Sequence, residues 1–229
     1  MKNIYDWELG MDKTVLATFG WTETPVISSI LRHGLSDGDK ILLITPERRD
    51  ERSEAALRDL KAFITTHLKN VEISELRISI DDPATSIYKL KRTIEDGRGR
   101  KCIINLSGGM RVVVLFTYIA VLLAEHPDIV VELETEDRKT VVEVPKVRLT
   151  DFIEVKKLPQ LAREIMKQLL QGPLDMATLR KDLKVPASTF HNAQMKLLER
   201  GYIMREKKGK TFILRLTPSG ELLARLIER

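Results

Sequence analysis

The chain is short of several things, and each shortage excludes a class of protein. It has a single cysteine, Cys102, so no intrachain disulfide can form and a cytoplasmic setting fits. Its histidines, His33, His67, His126 and His191, lack the spacing of metal ligands. Each reads as a surface or packing residue, and no metal site is expected. The longest apolar run, Val112 to Ala124, falls short of the about 18 residues that would suggest a membrane span. It reads as a buried helix in a soluble protein, and the N-terminus shows no signal-peptide pattern. Neither Gly-x-Gly-x-x-Gly nor the full P-loop pattern Gly-x-x-x-x-Gly-Lys-Ser/Thr occurs. Ordinary NAD binding and NTP hydrolysis are therefore disfavoured.

What remains is an ordinary globular composition, 43% hydrophobic and 31% charged over 229 residues, with room for two modest domains. Charge divides them. Residues 156–229 carry 16 Lys and Arg against 7 Asp and Glu, whereas residues 1–155 carry 22 against 26. A basic C-terminal third behind a slightly acidic front is the footprint of a domain that meets a polyanion.

The front alternates short apolar strands with amphipathic helices. Val15–Thr18, Ile41–Ile44, Val71–Ile80 and Cys102–Leu106 read as strands. Between them lie helical stripes through Val26, Ile27, Ile30 and Leu31, through Leu57, Leu60, Ile64 and Leu68, and through Ile87, Leu90 and Ile94. A helix from about Met110 to Glu125 follows, and Ile129–Leu133 and Thr140–Val147 read as a terminal hairpin. This pattern predicts an α/β domain with a mostly parallel sheet, in the strand order 3-2-1-4. Strands one and four then flank the point where winding reverses, and ligands bind at their carboxyl ends.

Two loops meet that crevice: Thr18-Phe19-Gly20-Trp21, and Asn105-Leu106-Ser107-Gly108-Gly109-Met110-Arg111. Paired glycines admit a close backbone approach, and the helix start beside them offers free N–H groups. Asn105 and Ser107 add hydrogen bonds, Arg111 a planar cation for phosphate, and Trp21 or Phe19 a ring that could stack on a base. The alternative is a plain tight turn with Trp21 packed at the sheet rim.

The back third reads as three helices (Leu158–Leu170, Met176–Leu183, Ala187–Arg200), two short strands (Tyr202–Arg205, Thr211–Leu216) and a closing helix from Thr217-Pro218. That is the order of a winged helix-turn-helix. Its third helix would present Ser188, Thr189, His191, Asn192 and Lys196 to a major groove, and Lys207, Lys208 and Lys210 would tip the wing. Gln194 falls where such a helix often has an apolar residue, which leaves the helix phase open by one position.

Taken together, the two loop motifs and the back third resemble the CRISPR-associated Rossmann-fold (CARF) transcription regulators of archaeal type I-A systems, over nearly the whole chain. Members of that family usually have Thr-Gly-Gly-Thr where this chain reads Ser107-Gly-Gly-Met110, which removes one hydroxyl. The resemblance implies a Rossmann-like sensing and dimerisation domain over residues 1–150, a linker over 151–157 and a winged helix-turn-helix over 158–229. It also implies a homodimer whose paired crevices bind a cyclic oligoadenylate, the tetra-adenylate in the first instance, as a regulatory ligand rather than a cofactor. Control of CRISPR loci through double-stranded promoter DNA would follow. Some relatives slowly cleave the cyclic ligand without metal, so a ring nuclease is the alternative, although neither loop motif holds a His or a carboxylate pair. A non-catalytic adaptor of a CRISPR effector complex is the third reading.

Overall fold

The structure, a computed structural model, describes residues 12–48, 50–209 and 211–227. They form two compact units, divided between Val144 and Pro145, each with its own core.

In the first unit strand and helix alternate: β1 (Lys13–Thr18), α1 (Thr24–His33), β2 (Lys40–Pro46), α2 (Glu51–His67), β3 (Glu72–Ile78), α3 (Pro83–Asp96), β4 (Lys101–Asn105), α4 (Arg111–Leu123), β5 (Ile129–Glu134) and β6 (Val141–Glu143). Local chemistry sets the helix starts. Asp50 and Asp82 accept from the N–H groups of Ser53 and Thr85 at the N-termini of α2 and α3. Pro25 and Pro83 occupy first-turn positions, where no N–H bond is lost.

The strands join in the order β3-β2-β1-β4-β5-β6. All neighbours run parallel except β6, which pairs antiparallel with β5. The Rossmann-like α/β reading and the reversal between β1 and β4 thus match the expectation. Alternate residues divide the core. Val15, Ala17, Ile41, Leu43 and Ile103 pack with Val26 and Ile30 of α1 and Leu57, Leu60 and Ile64 of α2. On the other face Leu16, Ile44, Cys102, Ile104 and Val131 pack with Leu90 and Ile94 of α3 and Val113, Phe116 and Ala120 of α4. The expected final hairpin is present, but its second strand is only three residues long.

The second unit comprises α5 (Leu149–Glu154), a 3₁₀ turn (Val155–Lys157), α6 (Gln160–Leu169), β7 (Leu174–Asp175), α7 (Met176–Leu183), α8 (Ala187–Glu199), β8 (Ile203–Lys208), β9 (Thr211–Leu216) and α9 (Pro218–Ile227). Its sheet runs β7-β9-β8, all antiparallel. The stretch 151–157, expected as a linker, is instead helical and part of this unit. Val155 and Leu158 enter the core with Ile165, Leu179, Phe190, Leu197 and Leu214. Buried Asp151 accepts from the Arg148 backbone, the Arg148 guanidinium and the Tyr202 hydroxyl. The sequence hid this because α5 leaves Leu149 and Ile153 open to solvent while it buries Asp151, the reverse of the usual pattern.

Candidate ligand crevice and nucleic-acid face

At the carboxyl ends of β1 and β4 the two glycine-containing loops interlock. Thr18 is fully buried, and its Oγ1 donates to the Gly108 carbonyl at 2.6 Å. A Cβ on Gly108 would lie 2.8 Å from the Thr18 carbonyl oxygen, and one on Gly20 would lie 2.8 Å from the Gly109 Cα. Gly109 has φ +83°, and a Cβ there would come within 3.0 Å of the Phe19 carbonyl. Glycine is therefore required at these positions by the chain's own backbone. The positive φ falls on Gly109; Gly108 does not share it.

Asn105 is buried and ties its own loop to β5. Its Oδ1 accepts from the Ser107 N–H at 3.0 Å, while its Nδ2 donates to Glu132 at 2.8 Å. Glu132, on β5 directly across from Asn105, gathers more than that one donor. Ser29 Oγ donates at 2.6 Å, Arg32 supplies Nη2 at 3.1 Å and Nε at 3.3 Å, and His33 Nε2 lies 2.8 Å away. Burial pushes the Glu132 carboxyl upward, but the hydrogen bonds from His33, Arg32, Ser29 and Asn105 outweigh it. They hold it well below the usual carboxylate range. Ser107 Oγ accepts from the Glu134 N–H at 2.8 Å, and Glu134 Oε2 is buried without a hydrogen-bond partner among the described residues.

Of the ten residues expected to line the crevice, the structure buries three, Thr18, Phe19 and Asn105, and leaves Gly20, Ser107 and Gly108 half-buried. Thr18, Asn105, Ser107, Gly20, Gly108 and Gly109 shape the loops. Phe19 is 1% exposed and sits in the core, so the expectation that it could stack on a base is overturned: its ring fills the α1–α2 face of the sheet. The outward residues are Trp21, Gly109, Met110 and Arg111. Met110 is the N-cap residue of α4 and its side chain provides no cap, so the first N–H groups of that helix are left unmet by it.

The turn after β2, which the sequence reading did not single out, joins the same end of the sheet. Trp21 Nε1 donates to Asp50 Oδ2 at 2.7 Å, and the Arg52 guanidinium carbon lies 4.8 Å from the Trp21 ring centroid. Hydrogen bonds from Ser53 lower the Asp50 pKa against an opposing burial effect, and the bond from Trp21 adds a smaller lowering. Arg48 is exposed on this turn. The available signal was its composition, Arg48-Arg49-Asp50-Glu51-Arg52, cationic at a strand's carboxyl end.

In the second unit Ser188, Thr189, His191, Asn192 and Lys196 all lie on the exposed side of α8. Phe190, Ala193, Gln194 and Leu197 face inward. This fixes the helix phase: Gln194 is a buried residue, its Nε2 3.7 Å from the Met176 sulfur. Lys207 and Lys208 are exposed at the end of β8, and Lys210 lies outside the described residues. Arg180, Lys181 and Lys184 add exposed cations on α7 and the turn before α8, which the sequence reading passed over. No group of His, Cys, Asp and Glu among the described residues could hold a metal. No described helix is long and apolar enough to cross a membrane.

Among known proteins, a family model for the Csa3 CRISPR-associated Rossmann-like domain matches residues 13–145. No curated protein matches the chain. Among solved structures, a mutant of Lactococcus lactis ZitR is 19% identical over 31% of this chain and 51% of its own, with a TM-score of 0.30. The chain thus spans about half the length of that protein. HlyU from Vibrio cholerae is 20% identical over 35% of this chain and 91% of its own, with a TM-score of 0.31.

Proposed function

Because the chain belongs to the family of the Csa3 CRISPR-associated Rossmann-like domain, we propose that it is a regulator of CRISPR loci that senses a cyclic oligoadenylate with its first unit and binds duplex DNA with its second. The observation that carries the sensing half is the interlocked pair of loops. Buried Thr18 and Asn105 and three close-packed glycines hold Met110, Arg111 and the uncapped start of α4 outward. An uncapped helix N-terminus beside an exposed guanidinium suits a phosphodiester. Met110 and Leu115 are 46% and 55% exposed beside that start. Apolar side chains there favour a two-fold contact between two copies of α4, which would bring two crevices onto one cyclic, symmetric ligand.

The DNA-binding half rests on the outer face of α8. The second unit is read as a winged helix-turn-helix, with α8 as the helix that enters the major groove and the β8–β9 hairpin as the wing. Exposed Asn192 suits adenine, Ser188 and Thr189 suit phosphates or base edges, and Lys207 and Lys208 suit the backbone. Ligand and DNA would then be coupled through the homodimer, reciprocally and by roughly 5- to 150-fold.

Calorimetry with cyclic tetra-adenylate and cyclic hexa-adenylate tests the reading, together with promoter-DNA binding with and without the tighter ring. The expected result is one ring per two chains, lost on Arg111→Ala, and a changed DNA affinity when the ring is bound. Retention of wild-type ring affinity by Arg111→Ala would remove the proposed crevice. Rapid conversion of the ring to a linear product would favour the ring-nuclease reading.

A further inference from the structure

We infer that Trp21 is a stacking platform for a purine base of the ligand, set in place by Asp50 and Arg52, so that the turn after β2 forms a third wall of the crevice. The inference rests on the ligand reading given above and adds to it the residues that would recognise the base.

Trp21 is 62% exposed, an unusual place for an indole unless something is to cover it. It is nevertheless fixed. Its ring N–H donates to Asp50 Oδ2 at 2.7 Å. Asp50 itself is held through its other oxygen, which accepts from Ser53 N and Oγ at 2.9 and 2.8 Å as the N-cap of the 17-residue α2. With the indole edge tied and the Arg52 guanidinium 4.8 Å from the ring centroid, one face is covered and the opposite face stays open. A ring oriented before the ligand arrives loses little freedom on binding. The cation behind it opposes the negative ring face, and the open face suits the flat surface of a base.

Position supports the same assignment. Trp21 follows Gly20, whose Cα region touches Gly109, two residues before Arg111. A phosphate at the α4 start and a base on Trp21 would thus belong to one nucleotide or to neighbours. Arg48, exposed, stands on the same turn and would meet a second phosphate. Phe19, the other aromatic residue of the loop, is buried and cannot take this role.

The test is binding of cyclic tetra-adenylate and cyclic tetra-uridylate to the full chain, as wild type and as Trp21→Ala, Trp21→Phe, Arg52→Ala and Arg111→Ala. Trp21→Ala should weaken the adenylate ring by about 10- to 100-fold, the scale of one lost base stack. It should also shrink the preference for the adenylate over the uridylate ring, with an unchanged melting temperature. Trp21→Phe should restore most of the affinity, and Arg52→Ala should fall between it and Trp21→Ala. If Trp21→Ala keeps wild-type affinity for the adenylate ring while Arg111→Ala loses it, the platform is refuted and the sensor stands. If the wild type binds neither of these rings nor cyclic hexa-adenylate, the sensor reading is refuted and the platform with it.

Discussion

The crevice of the first unit and the outer face of α8 in the second were picked out by the same kind of reasoning, yet the two are built in opposite ways. In the crevice, the motif residues mostly serve each other. Thr18 binds Gly108, Asn105 binds Ser107 and Glu132, and the glycines exist to let two backbones touch. On α8 the singled-out residues face water, and the inward residues Phe190, Ala193 and Leu197 make the core. A motif in a strand-to-helix loop is thus largely a fold requirement that leaves a few residues free for a ligand. A polar helix face is free for a partner throughout. Substitutions should separate the two regions accordingly.

The largest effect is expected at Glu132, whose side chain is 4% exposed and holds α1, β4 and β5 together. Glu132→Ala should destabilise the first unit by about 3–5 kcal/mol, because it leaves Arg32, Asn105 and Ser29 without their acceptor. The pH dependence follows from the same group. Its folded pKa lies below the ordinary value of 4.5, so its contribution is fully present above that value. The contribution is lost as pH falls from there toward the depressed folded value. Thermal melts from pH 7 to pH 3 should show a steep acid loss in wild type and a flatter one in Glu132→Gln. Equal slopes would mean that the network contributes little.

Next comes Gly108→Val, which separates the two meanings of a crevice glycine. The new Cβ would meet the Thr18 carbonyl, so the first unit should lose about 1–3 kcal/mol of stability whether or not a ligand is present. An unchanged melting temperature with lost ring binding would show that Gly108 serves the ligand alone, contrary to the packing.

On α8 the effects should fall on binding and leave folding alone. Asn192→Ala should reduce affinity for the preferred DNA site by about 1–3 kcal/mol and relax one or two base pairs, with no change in melting temperature. Equal losses on preferred and random DNA would make Asn192 a positioning residue. The smallest change is expected from Lys207→Ala with Lys208→Ala. It should weaken all sequences alike and flatten the salt dependence by roughly 0.9 per lost contact. An unaltered salt slope would take the wing off the backbone.

The sequence by itself was enough for the alternation of strand and helix, the reversal between β1 and β4, and the two loops at that reversal. Those features follow from local periodicity, caps and glycine placement, which act over a few residues. Helix phase on α8 was nearly legible too, but buried Gln194 had to be located before it was settled. Tertiary structure alone decided what depends on distant partners. Glu132 meets Ser29 from 103 residues away and Asn105 from 27, so nothing near it in sequence marks it as buried. Phe19 and Trp21 stand two residues apart in one motif, yet one fills the core and the other lies against Asp50 and Arg52. The stretch around Asp151 looked like a linker because its anchors, Arg148 and Tyr202, lie on both sides of it, the second 51 residues on. A charged residue becomes part of a core only where the folded chain brings enough donors around it to replace water, and that count belongs to the fold.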